Sequence, residues 1–204
     1  MYNPKINLVL VLILAPALTA SPMSQAPDDD SQTAALLKRL ETAETTDQAA
    51  EQLLKLAANS SETKKYLAMH LPSLIDKGPT DAGGKAERSW INATRIAGQL
   101  KLVEAIPSLV KWFSVETGGT ITLGQAARLE YNPAAKALSQ IGDPAVPSLG
   151  GVLSNANLDN RKTAVLALTL VGSTKAYSVL RAHLPHESDS GLRYMLQQAL
   201  EHGH

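Results

Sequence analysis

Cysteine is absent from the 204 residues. The chain therefore has no disulfide to lean on, no thiol nucleophile, and no residue able to carry a lipid behind an N-terminal apolar run. Aromatic residues are scarce at 4%, with a single Phe. The core must be filled by Ala, Leu, Val and Ile, side chains small enough to let helix axes approach closely. An excess of either charge is also missing, since 19 Lys and Arg balance 19 Asp and Glu. Binding to nucleic acid draws most of its affinity from neutralising phosphates, so this balance argues against a nucleic-acid partner. Beyond the first twenty residues no apolar run is long enough to cross a bilayer, which takes about 20 residues.

What is present is a folded composition, 44% hydrophobic, in a length suited to one domain. Residues 1–20 carry the pattern of a secretory signal peptide. Lys5 gives the positive start, Ile6 to Ala15 is apolar apart from Asn7, and Pro16 breaks the run before small residues. Cleavage is expected after Ala17 or Ala20, leaving no stable membrane span and 18 basic against 19 acidic groups once Lys5 is gone. Residues 21–32, with Pro22, Pro27 and the Asp28-Asp29-Asp30 run, read as a disordered linker. Residues 33–204 form the folded domain. The compartment implied is periplasmic or extracellular.

Within that domain the periodicity is helical. Ala35, Leu36, Leu40 and Ala43 mark one stripe, and Ala50, Leu53, Leu54 and Ala57 a second. A third runs through Tyr66, Leu67, His70, Leu71, Leu74 and Ile75, where Pro72 is expected to bend or break the helix. His70, on this apolar face, reads as a satisfied core histidine. Gly78-Pro79 and Gly83-Gly84 close the segment. Whether 33–77 extends the repeat array or packs as a separate cap stays open at this level.

The second half repeats itself. Ala105-Ile106-Pro107-Ser108-Leu109 returns 40 residues later as Ala145-Val146-Pro147-Ser148-Leu149, each followed four positions on by Phe113 or Leu153. A third copy begins 31 residues further, at Ala176, and keeps Leu180 and Leu184. The helices preceding these share their own pattern. Arg161, Ala164, Ala167 and Leu168 return as Arg193, Leu196, Ala199 and Leu200, a shift of 32. Ala134, Ala137 and Leu138 fill the same places one unit earlier, and Ala93, Ile96 and Ala97 one unit before that. Gly142 and Gly172 are the expected left-handed turns between paired helices. Asn132-Pro133 and Asp143-Pro144 read as N-caps followed by proline in the first turn.

The run Gly142-Asp143-Pro144-Ala145-Val146-Pro147-Ser148-Leu149, with Ala134-Ala135-Lys136-Ala137-Leu138 before it, resembles the short HEAT-like repeats of the phycobilin-lyase type, clearest over 86–202. The resemblance implies an all-α fold: a right-handed α-α solenoid, or superhelix, of stacked helix pairs whose second helices line a concave face. It also implies a scaffold that binds a protein or peptide, exported here by the signal peptide. A structural subunit of an envelope assembly is the alternative, and an enzyme of unrecognised type the more distant one. The 40-residue spacing departs from the pattern by an insertion within 114–129, where Thr117-Gly118-Gly119-Thr120 is too poor in helix formers to extend a helix. Such insertions emerge either as part of a binding face or as loops tolerated because lengthening costs little.

Catalytic chemistry finds no foothold. Deoxyhypusine hydroxylase, of similar architecture, uses repeated His-Glu pairs to hold iron, whereas this chain has only His186-Glu187. One pair does not supply a di-iron ligand set, so neither a metal nor another cofactor is expected. No Gly-x-Ser-x-Gly elbow and no phosphate loop occurs. The candidate partner-binding residues are positional. Between the core leucines of the second helices, Ser108, Lys111 and Trp112 in one unit and Arg181 and His183 in another should look toward the concave face or its edge. Trp112 has two readings, a binding anchor or a plug between units; Trp90, on a first helix, is expected in the core. Asn92-Ala93-Thr94 matches a glycosylation sequon but falls inside a helix.

Overall fold

Leucine and alanine at helical spacing build the whole architecture. In the computed structural model, which describes residues 29–42, 44–79, 85–117 and 129–202, the regular elements are ten α-helices with no strand. They are α1 Asp29–Leu40, α2 Thr46–Asn59, α3 Ser61–Asp76, α4 Lys85–Gln99, α5 Ile106–Lys111, α6 Pro133–Ile141, α7 Val146–Val152, α8 Leu158–Val171, α9 Thr174–His183 and α10 Ser190–His202. Residues 1–28, 43, 80–84, 118–128 and 203–204 lie outside the described set, and with them the signal peptide, most of the linker, Ala43 of the first stripe, Gly83-Gly84 and most of the insertion.

The helices fall into two rows. The first helices of successive pairs, α2, α4, α6, α8 and α10, are consecutive neighbours, and so are the second helices α3, α5, α7 and α9. One apolar core runs between the rows, from Leu36 and Leu40 of α1 to Leu192 and Leu196 of α10. The repeated sequence positions supply it. Ala105, Ala145 and Ala176 are all fully buried, as are Leu109, Leu149 and Leu180. The pair α2–α3 packs its members on α4 and α5 respectively, so this part of the chain continues the same two rows, with α1 laid over α2 and α3.

Packing within the rows is uneven, and the unevenness positions the site. Among the described residues the most extensive helix contact is α4 on α6 in the first row. It depends on Gly98, where an added Cβ would lie 2.8 Å from the Ala137 Cα. At this same step the second helices α5 and α7 meet only sparsely. The described residues flanking the insertion are joined there by the Thr117 amide donating to the Tyr131 carbonyl at 2.7 Å.

Local chemistry sets the helix ends. Ser60, Asn132, Asn157 and Ser173 each cap a helix by accepting from a first-turn amide. Asn132 also donates from Nδ2 to the Phe113 carbonyl at 2.7 Å, so one buried side chain starts α6 and satisfies the end of α5. Gly142 (φ 86°) and Gly172 (φ 66°) turn the chain between paired helices, in conformations a side chain would strain.

Several expectations are corrected. α1 starts at Asp29, inside the segment read as linker, and Thr33 is buried there while Ala35 is exposed. The stripe is Thr33-Leu36-Leu40, the face that packs on both α2 and α3. Pro72 does not end α3, which continues to Asp76. Buried Leu67 and Leu71 on one side and Leu74 and Ile75 on the other hold the helix across the missing hydrogen bond. His70 is exposed rather than buried, its ring 4.2 Å from that of Tyr66. Asp143 makes no side-chain cap; it opens a 3₁₀ turn, Asp143–Ala145, that leads into α7. Val103–Ala105 forms the same turn ahead of α5.

Candidate functional site

Where α5 and α7 splay, a groove of about 290 Å³ opens, lined by Val110, Phe113, Ser114, Ser148, Gly151, Val152, Asn155 and Asn160. Its floor is apolar and its rim carries neutral hydroxyls and amides. The mid-groove helix turn lacks bulk, since a Cβ on Gly151 would meet nothing within 4 Å. The rim is partly self-organised, with Asn160 Nδ2 donating to Ser114 Oγ at 2.9 Å. Such a surface fits uncharged, hydrogen-bonding chains with intermittent apolar side chains.

The residues singled out from sequence divide around this groove. Ser108 is a correction: at 5% exposure it is buried with Leu109. The short α5 turns that position inward between Ala105 and Leu109. Lys111 is exposed and already engaged, with Nζ 3.1 Å from the Asp76 carbonyl, 3.7 Å from the Asp76 carboxylate and 5.3 Å from the centroid of the Trp112 ring. Trp112 is half-buried and lies against Gly78, whose hypothetical Cβ would fall 2.2 Å from its ring. The ring thus fills the gap between α5 and the α3–α4 connection, and its Nε1 is buried without a hydrogen-bond acceptor. Trp90 sits in the core at 1% exposure, also with an unpaired Nε1. Arg181 is exposed and makes no ion pair or hydrogen bond among the described residues.

His183 belongs to a different arrangement. Its Nε2 lies 3.2 Å from Glu187 Oε2. Arg161 Nε and Nη2 also reach Glu187, at 3.0 and 3.1 Å, and the Asp189 amide donates to Oε1 at 2.9 Å. The remaining Arg161 nitrogen donates to the carbonyls of Asn155 and Ala156. Burial of the Glu187 carboxyl pushes its pKa up, but these donors, Arg161 foremost, outweigh that and hold it at about 2. The carboxylate is committed to Arg161, so the His186-Glu187 pair is not a free ligand set. His186 itself points to solvent. Among the described residues no group of three or more His, Asp or Glu is placed to hold a metal ion. Asn92 of the sequon is 5% exposed and spends its Nδ2 on Asp47 and Thr46.

The sequence reading did not single out Val110, Ser114, Ser148, Gly151, Asn155 or Asn160. The available signal was the uncharged run from Val146 to Asn157, with adjacent glycines inside a helix that gains nothing from them.

An all-helical chain with core positions repeated from one helix pair to the next has the pattern of an α-helical repeat protein. The family model for HEAT repeats matches residues 133–201, covering α6 to α10, and supports a HEAT-like repeat protein. HEAT repeats commonly mediate protein binding as scaffolds. No curated protein matches the chain. No described helix is long and apolar enough to cross a membrane.

Proposed function

We propose that the chain is an exported, non-enzymatic adaptor that holds a protein or peptide segment along the second-helix face of a right-handed HEAT-like solenoid. The observation that carries this reading is the splayed α5–α7 step. There the first helices make their most extensive contact, the second helices touch only sparsely, and an apolar-floored groove with amide and hydroxyl rims remains open. An extended peptide needs such neutral donors and acceptors for its backbone and apolar recesses for its side chains. Arg181, exposed on the same row and unpaired among the described residues, adds a contact for an acidic or carbonyl group. Export to the periplasm or medium rests on the composition of residues 1–20.

The test is Gly151→Arg. The new side chain enters open space, so the fold is retained while the groove is filled. Crosslinking in the cell envelope with the mature chain should recover a partner that the Gly151→Arg protein loses. Recovery by both proteins would place the contact elsewhere.

A structural role in an envelope assembly is the second reading, and one observation favours it. Leu170 and Tyr194 are 60% and 62% exposed. Tyr194 lines an apolar cleft between α8 and α10, next to Leu166 and Met195. Loss of assembly in a Leu170→Ser/Tyr194→Ser variant, with the Gly151→Arg variant unaffected, would select this reading.

A further inference from the structure

On the first-helix row, the α4–α6 contact leaves a recess of about 200 Å³. One wall is the α4 face of Ile91, Arg95 and Gln99, spaced one helical turn apart. The other is the α6 face of Lys136, Ala137 and Gln140. Two cations and two carboxamides therefore converge on a small cavity with an apolar floor.

Their hydrogen bonds show what is left to offer. Arg95 is fixed in place, with Nη1 on Glu51 and Nε and Nη2 on Asn92 Oδ1, which leaves its second Nη hydrogens unused. Lys136 donates to Glu130 on the lip, so the single acidic group lining the recess is already neutralised. Gln140 and Gln99 make no hydrogen bond among the described residues, although Gln140 is half-buried and lies over Gly98, with Oε1 2.3 Å from where a Cβ would be. Gly98 thus gives the Gln140 amide its seat. The unused capacity is mostly N–H donors, with Arg95 balanced by Glu51 and Lys136 by Glu130.

We propose that this recess binds the carboxylate of a small ligand with a short apolar body, either a free carboxylic acid or the C-terminal carboxylate of a peptide. Charge-assisted hydrogen bonds from Arg95 and Lys136 take the anionic oxygens. The Gln140 and Gln99 amides add neutral donors, and Ile91, Pro133 and Ala137 contact the apolar body. A cavity of 150 Å³ accommodates benzene, so roughly 200 Å³ fits one amino-acid-sized group. The site lies on the opposite row from the α5–α7 groove, and the two readings stand or fall separately.

The test is a titration of the full chain, followed by the NMR signals of the Gln side-chain amides, with N-acetyl-leucine and with N-acetyl-leucinamide. The carboxylate should saturate with a dissociation constant near or below about 10 mM, and the amide should bind at least tenfold more weakly. Lys136→Met and Gln140→Leu should each weaken binding by about tenfold, with unchanged circular dichroism, and Gly151→Arg should leave it intact. A pentapeptide ending in leucine, with free or amidated terminus, separates the sources. Tighter binding of the free-ended peptide than of N-acetyl-leucine assigns the site to peptide termini, and equal binding assigns it to small free acids. Equal affinity for carboxylate and amide, indifference to both substitutions, or no saturation would overturn the proposal.

Discussion

Arg161 grips both carboxylate oxygens of Glu187 across the last helix pair, with Nε at 3.0 Å and Nη2 at 3.1 Å. Because Arg161 also holds the carbonyls of Asn155 and Ala156, this one pair joins the α7–α8 loop, α8, and the turn from α9 into α10. Both side chains are largely withdrawn from water, at 15% and 2% exposure. Removing either partner leaves the other buried without its counter-charge, an arrangement that costs about 3–5 kcal/mol. Glu187→Ala should lower stability by about that much in urea unfolding, and a loss under about 1 kcal/mol would refute the clamp.

The same pair predicts an acid profile. Folding lowers the Glu187 pKa from 4.5 to about 2, so the folded state binds the proton more weakly than the unfolded chain does. The stabilisation is complete above about pH 5 and is lost as pH falls toward 2, amounting to roughly 3 kcal/mol. Urea midpoints measured from pH 6 to pH 2 should fall more steeply for the wild type than for Glu187→Gln. Parallel curves would remove the prediction.

Two glycines one helix row apart should respond to alanine with opposite signs. At Gly98 the new methyl would lie 2.8 Å from the Ala137 Cα, and backbone does not yield as a side chain does. Overpacking of about 1–3 kcal/mol exceeds the gain of up to about 1 kcal/mol in helix propensity. At Gly151 nothing lies within 4 Å, so only the propensity gain remains. Calorimetry should show Gly98→Ala melting below the wild type and Gly151→Ala at or above it.

Gly78→Ala meets two obstacles together, a φ of 69° and the Trp112 ring 2.2 Å from the added carbon. The strain of a left-handed alanine, about 1 kcal/mol, adds to displacement of the plug between units. Trp112 fluorescence should shift to the red along with a drop in stability of about 2–4 kcal/mol. An unshifted spectrum would show that the ring does not depend on this contact.

Asn132→Ala should cost more than an ordinary cap. It removes the acceptor for the Ala135 amide, about 1 kcal/mol, and strands the buried Phe113 carbonyl, about 1–3 kcal/mol more. Hydrogen exchange should accelerate both at the start of α6 and around Thr117, because the side chain serves both.

The helices and most of their core were legible because repetition fixes both. Ala105, Ala145 and Ala176 occupy equivalent places and are all buried. Gly142 and Gly172 fall at turns that need a positive φ. Single-residue orientation was less legible. Ser108 sits at the offset of an outward residue, yet the short α5 turns it inward. His70 lies among leucines in sequence, yet it falls beside the buried stripe of Leu67, Leu71 and Leu74 rather than in it. The groove left only a faint trace in the sequence, the uncharged run from Val146 to Asn157, because it is made by a difference between two contacts, the extensive one of α4 with α6 and the sparse one of α5 with α7. Glu187 looked like half a metal pair because its true partner, Arg161, is 26 residues away.

That difference between the two rows has a mechanical consequence. Gly98 on Ala137 makes the α4–α6 seam a spine, while the facing α5–α7 edge is bound lightly. A small rotation about such a spine changes little on the tight side and widens the other, as a book opens at its binding. Bending the array at this step would therefore adjust the width of the groove without unfolding any helix.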